Sequence, residues 1–124
     1  EVIQEFKQHG IRTSIFLDPD AAQVEAVVKT GTDRIELYTQ AYAEVYPLDP
    51  LKAIAPFVDA ATKAKEVGLG LNAGHDLSLH NIAFFAQQLP ALLEVSIGHA
   101  LICESLYFGL ENVINQYKAK LSTH

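Results

Sequence analysis

Four short strand-like runs, each followed by a stretch of helical periodicity, constrain this chain more than any other feature. Thr13-Ser-Ile-Phe-Leu17, Arg34-Ile-Glu-Leu-Tyr38, Leu69-Gly-Leu-Asn-Ala73 and Glu94-Val-Ser-Ile97 are the strands, each bounded by turn residues. Val2, Ile3 and Phe6 predict a helix before the first of them, stopped at His9-Gly10. Val24, Val27 and Val28 predict a second helix over Ala21 to Thr30, entered from the Asp18-Pro-Asp turn and closed by Gly31. After a polar loop through Pro47, Asp49-Pro50 caps a long helix that runs to about Val67 and stops at Gly68. Further helices are predicted from Ser78 to Gln88, with Ile82, Phe84 and Phe85 on the apolar side, and from Glu104 to Leu121.

Strands that alternate with helices across short links imply βαβ units and a parallel sheet. No linker, low-complexity stretch or charge run divides the chain, so residues 1–124 read as one unit. Two architectures fit. One is half of an eight-unit (β/α) barrel of TIM type, whose whole needs about 250 residues. The other is a small doubly wound, flavodoxin-like sheet with helices on both faces. Strand order separates them, because only the doubly wound sheet reverses direction at a switch point.

Polar residues gather at the C-terminal ends of the strands. They are Asp18; Glu36 and Tyr38; Asn72-Ala-Gly-His75-Asp76; and Gly98-His99. The opposite ends carry ordinary helix stops such as Gly31 and Gly68. Parallel α/β sheets place their ligands at that polar end. Glu36 lies between Ile35 and Leu37 in a strand expected to be covered on both faces, where a carboxylate is costly without a partner. It is either a functional group or the ion-pair partner of Arg34, two residues earlier on the same face. His75 follows a glycine and precedes a helix, a position from which an imidazole exchanges protons with a ligand or simply caps the helix. Gly74 and Gly98 permit close backbone approach, and amides at a helix start attract phosphate, although glycines end many strands.

Other features exclude function classes. A net charge of −6 without a basic stripe disfavours nucleic acid as partner. The apolar runs fall far short of the roughly 20 residues that span a bilayer, and the acidic start does not resemble a signal peptide. The single cysteine, Cys103, cannot form an internal disulfide and has no evident base beside it, so it is expected as a small packed apolar residue in a reducing compartment. No metal-ligand spacing and no Walker or dinucleotide glycine motif is present. His9 suits a helix C-terminus, His80 a first helical turn and His124 a loose end. Tyr107, Phe108, Leu110, Val113, Ile114 and Tyr117 form a stripe expected to be core or subunit contact.

Leu71-Asn-Ala-Gly-His-Asp-Leu77 and Ser96-Ile-Gly-His-Ala-Leu-Ile102 resemble the last two strand-loop motifs of the pyridoxine 5'-phosphate synthase family. The resemblance extends through Ile11-Arg-Thr-Ser-Ile-Phe-Leu-Asp18, Arg34-Ile-Glu-Leu-Tyr-Thr39, Tyr42-Ala43 and Gly109-Leu-Glu111, and so covers nearly the whole chain. It implies the C-terminal half of a TIM-type barrel that condenses 1-deoxy-D-xylulose 5-phosphate with 3-amino-2-oxopropyl phosphate. The products are pyridoxine 5'-phosphate, inorganic phosphate and water, and the step belongs to vitamin B6 biosynthesis. The resemblance makes His75 a proton donor and Glu36 a stabiliser of the transition state. It places Asp76, Gly98 and His99 on the aminoketone phosphate. Asp76 and Gln40 stand where some members carry Gly.

The residues require no metal or organic cofactor and the lone cysteine fits a cytoplasmic location, while the resemblance implies homo-oligomeric assembly and an N-terminal half carrying the general bases. The chain opens inside a helical pattern without Met and is expected to be part of a longer protein, inactive or nearly so by itself. Two non-catalytic alternatives stand beside this reading: a phosphate-binding half-barrel or flavodoxin-like module, and a purely structural half-barrel.

Overall fold

The computed structural model describes residues 1–122. Its elements run in the order α1 (Val2–Gln8), β1 (Ser14–Leu17), α2 (Ala21–Val27), β2 (Arg34–Tyr38), α3 (Gln40–Val45), α4 (Pro50–Glu66), β3 (Gly70–His75), α5 (Ile82–Gln88), β4 (Leu92–Ile97), α6 (His99–Phe108) and α7 (Leu110–Leu121). The strands form one parallel sheet in the order β1-β2-β3-β4. That order reverses nowhere, which removes the doubly wound, flavodoxin-like alternative.

Strand periodicity sorts the side chains into two faces. Ile35, Leu37, Leu71 and Ala73 are buried toward the helices and meet Val24, Phe57, Ala60, Ala61, Ala64, Phe85 and Val113 in a continuous core. The four alanines Ala53, Ala60, Ala61 and Ala64 on the buried side of α4 let that helix lie close to the strands. Tyr42, Phe57 and Phe85 form an aromatic triangle, with centroids 4.8 to 5.9 Å apart and planes steeply inclined. Tilted and edge-to-face geometry of this kind suits the ring quadrupoles. The opposite face carries Ser14, Phe16, Arg34, Glu36, Tyr38, Asn72, Glu94 and Ser96, and no helix among the described residues covers it.

Several predicted boundaries shift. The last three residues of the second predicted helix, Val28–Thr30, form a 3-10 turn ahead of Gly31 at φ 77°. The loop after β2 contains α3, because Tyr42 buries its ring and donates its hydroxyl to Asn81 O at 2.7 Å. α5 starts at Ile82 rather than Ser78, since Asn81 Oδ1 accepts the Ser78 amide and holds residues 78–81 in a turn. His80 accordingly lies in that turn, before the helix. The predicted final helix is two: Gly109, at φ 80°, separates α6 from α7. The break divides the apolar stripe, leaving Val113 and Tyr117 buried while Tyr107, Phe108 and Leu110 are exposed. His124 lies outside the described residues.

Candidate active site

The C-terminal ends of β1 to β4 open onto a groove of about 370 Å³ lined by Phe16, Glu36, His75, Ser96, Ile97, Gly98 and His99. Four of the five residues singled out from sequence therefore share one rim. Strand register explains the convergence: Phe16, Glu36, Asn72 and Glu94 lie side by side, with Tyr38, Gly74 and Ser96 one step above.

Glu36 is half-buried rather than enclosed, because the face it points from is uncovered. The Arg34 pairing does not form: the Arg34 guanidinium runs to Glu94 and donates to Asn72 Oδ1 at 3.0 Å. Glu36 instead leans over Gly74. A methyl group at Gly74 would lie 2.8 Å from Glu36 Oε1 and 2.6 Å from Ser96 O, so the missing side chain is what admits the carboxylate.

His75 is the strained residue of the site. Alternation along β3 would turn it toward the helices, on the side of Leu71 and Ala73, but its φ is 101°, a value rare outside glycine. The imidazole instead packs edge-on against Tyr38, 5.1 Å between centroids, and lines the groove. Its Nδ1 lies 2.8 Å from Asp76 Oδ2. With Nδ1–H donated to that carboxylate, Nε2 is left to exchange a proton.

Asp76 does not line the groove. Its amide donates to Thr39 Oγ1 at 3.1 Å and its carboxylate faces His75, so it reaches the site through the imidazole. His99 opens α6 directly after Gly98, and its Nε2 lies 3.5 Å from Cys103 Sγ one turn on. Cys103 is thus half-buried with a base beside it, not packed away as expected. No side-chain cap closes the start of α6 at Gly98, and amides at a helix start are oriented to donate to an anion.

Three positioning residues were not singled out from sequence. Thr39, fully buried, donates to Gly74 O at 2.6 Å and receives the Asp76 amide, fixing the turn that carries His75. Asn81 donates to Asp76 O at 3.4 Å. Glu104 accepts the Leu79 amide at 3.1 Å and the Tyr117 hydroxyl at 2.6 Å, tying the loop after β3 to α6 and α7. The signal for Thr39 was its place directly after a strand; nothing in the sequence marks Glu104. Burial, then the bond to Glu104, pushes the Tyr117 phenol above its ordinary range.

Among the described residues no group of three or more His, Cys, Asp or Glu could hold a metal ion, and no helix is long and apolar enough to cross a membrane.

The family model described as pyridoxal phosphate biosynthesis protein PdxJ matches residues 1–123. The pyridoxine 5'-phosphate synthase of Flavobacterium johnsoniae is 64% identical over 121 residues, which cover 98% of this chain and 51% of that protein. The protein of the same name from Parabacteroides distasonis is 60% identical over 123 residues, covering 99% and 52%. One from Bacteroides fragilis is 58% identical over 118 residues, covering 95% and 50%. The chain spans about half the length of the curated relatives it matches.

Proposed function

This chain belongs to the PdxJ family of pyridoxal phosphate biosynthesis proteins, and from that membership we propose that it forms half of a TIM-type barrel acting as a pyridoxine 5'-phosphate synthase. Support for the half-barrel comes from the sequential parallel order, the helices on one face alone, and the polar inner face. Arg12 and Glu94 add to it. They belong to the two edge strands or their approaches, yet they meet at 3.1 Å across the concave side, as a strongly curled sheet requires. The remaining strands close that face and bring the general bases, and the assembled enzyme is a cytoplasmic homo-oligomer.

The observation that carries the activity is the convergence of Glu36, His75, Gly98 and His99 on one groove. The substrates are 1-deoxy-D-xylulose 5-phosphate and 3-amino-2-oxopropyl phosphate. Their condensation through an imine passes through cationic species, which the Glu36 carboxylate stabilises in a site closed from water. Loss of water and phosphate requires an acid, and His75 donates that proton from Nε2 while Asp76 orients the ring through Nδ1. The aminoketone phosphate rests on the first amides of α6, beside His99. Asp76, which the family resemblance places on that phosphate, contributes through the histidine.

The test is pyridoxine 5'-phosphate formation by this chain co-expressed with the stretch of the Flavobacterium johnsoniae relative that it does not cover. His75→Asn or Glu36→Gln is expected to lower kcat roughly 10²- to 10⁴-fold, and the chain by itself to be silent. Unchanged turnover in His75→Asn would sink the catalytic assignment. Full turnover by the chain alone would sink the half-barrel.

A further inference from the structure

Two guanidiniums, from the approach to β1 and the first residue of β2, converge on one inner-face carboxylate of β4. Arg12 Nη2 lies 3.1 Å from Glu94 Oε2, and Arg34 Nη1 contacts the same oxygen. Arg34 is built into place. A methyl group at Gly70 would lie 2.7 Å from its Cγ, so its stem crosses the strand where that glycine leaves room. Asn72 Oδ1 then accepts from its Nη1. Asp33, which lines a hollow with Arg12, is already engaged, accepting the Thr13 amide at 2.8 Å and pairing with Lys7 at 3.1 Å. At the Glu94 carboxylate two positive charges therefore meet one negative, while Glu36, in the same layer beyond Asn72, leans away over Gly74.

An excess charge is tolerable here because the face is open: the Arg12 side chain is 56% exposed. Closing a barrel over it removes water from the layer, and a guanidinium so enclosed is costly unless a counter-charge arrives with the covering surface. We propose that this layer is a docking site for strands of the complementary half of the barrel that point an Asp or Glu inward at the level of Glu94, within reach of Arg12. The inference rests on the half-barrel reading. It adds the chemistry that selects the correct partner surface: an acid meets the free side of the cluster, and a basic or apolar residue there is rejected.

The experiment measures association of this 124-residue chain, co-expressed as above with the uncovered stretch of the Flavobacterium johnsoniae relative. Native chain, Arg12→Gln and Arg12→Glu are compared at low and high salt. Arg12 is exposed, so the variants keep the fold of the chain, which circular dichroism checks. The complex is expected to weaken at least about tenfold in Arg12→Gln, further in Arg12→Glu, and to lose much of the difference at high salt. Replacing each inward Asp or Glu of the complementary stretch by Gln in turn identifies the partner. Its loss weakens the native complex but not the Arg12→Gln complex. If the halves associate and Arg12→Gln binds as tightly as native, the counter-charge proposal is wrong and the half-barrel stands. If native halves do not associate, the half-barrel reading fails and this one with it.

Discussion

The phenol ring of Tyr38 meets the imidazole of His75 edge-on, at 77° between planes. The last residue of β2 thereby holds the residue that ends β3 in a backbone conformation it would otherwise avoid. Its hydroxyl donates to Gln40 Oε1 at 2.8 Å, outside the ring contact. Tyr38→Phe is therefore expected to leave turnover of the assembled enzyme close to native. Tyr38→Ala should lower kcat about ten- to a hundredfold through a misplaced imidazole, with little change in KM. Steady-state kinetics of both variants checks the split.

Gly74→Ala tests the opening that admits Glu36. The added methyl group would meet the Ser96 carbonyl oxygen in the adjoining strand, which cannot swing aside as a side-chain tip can. Overpacking of this kind costs about 1–3 kcal/mol. Urea denaturation should show that loss, and a crystal structure should show the Glu36 carboxylate displaced.

Tyr42 packs its ring in the core and donates its hydroxyl to the carbonyl of the residue that precedes α5. Tyr42→Phe keeps the ring and removes one of two donors to Asn81 O, which still accepts the Phe85 amide at 3.2 Å, at a cost of about 0.5–1.5 kcal/mol. Burial also drives the Tyr42 phenol well above its ordinary pKa. Stability is then complete below about pH 10, where the unfolded phenol is still neutral, and falls as pH rises above it. Tyrosinate absorbance followed together with circular dichroism should show Tyr42 ionising only as the chain unfolds.

Acid should act at Asp33. The Thr13 amide and then the Lys7 ammonium hold its carboxyl below the usual value. A group depressed in the folded state contributes fully above about pH 4, its unfolded value, and loses that contribution as pH falls toward the folded one. Asp33→Asn should flatten the stability profile below pH 4 and lower the plateau above it. Equal slopes in both proteins would remove Asp33 from the account.

Legibility followed the range of the interaction. The strands, α2 and α4 were readable because their apolar spacing and caps are local: Asp49 accepts the Lys52 amide as an N-cap should. The polar rim was readable because parallel strands end at one level. What escaped depended on contacts distant in sequence. Alternation puts Arg34 on the right face but does not reveal its partner, since its route to Glu94 opens only where Gly70 lies in the next strand. The break at Gly109 was hidden by apolar residues that continue on both sides. The positive φ of His75 has no sequence marker, because histidine gives no hint of a backbone held by Thr39 and Tyr38.

The core of the described residues lies between the sheet and its outer helices, while the Glu36 carboxylate stands on the other side. Cohesion and chemistry are thus written on alternate residues of the same strands, Ile35 and Leu37 for one and Glu36 for the other. A lineage, or an engineer, can rewrite the odd-numbered or the even-numbered script in β2 separately, retuning what is transformed without renegotiating what folds.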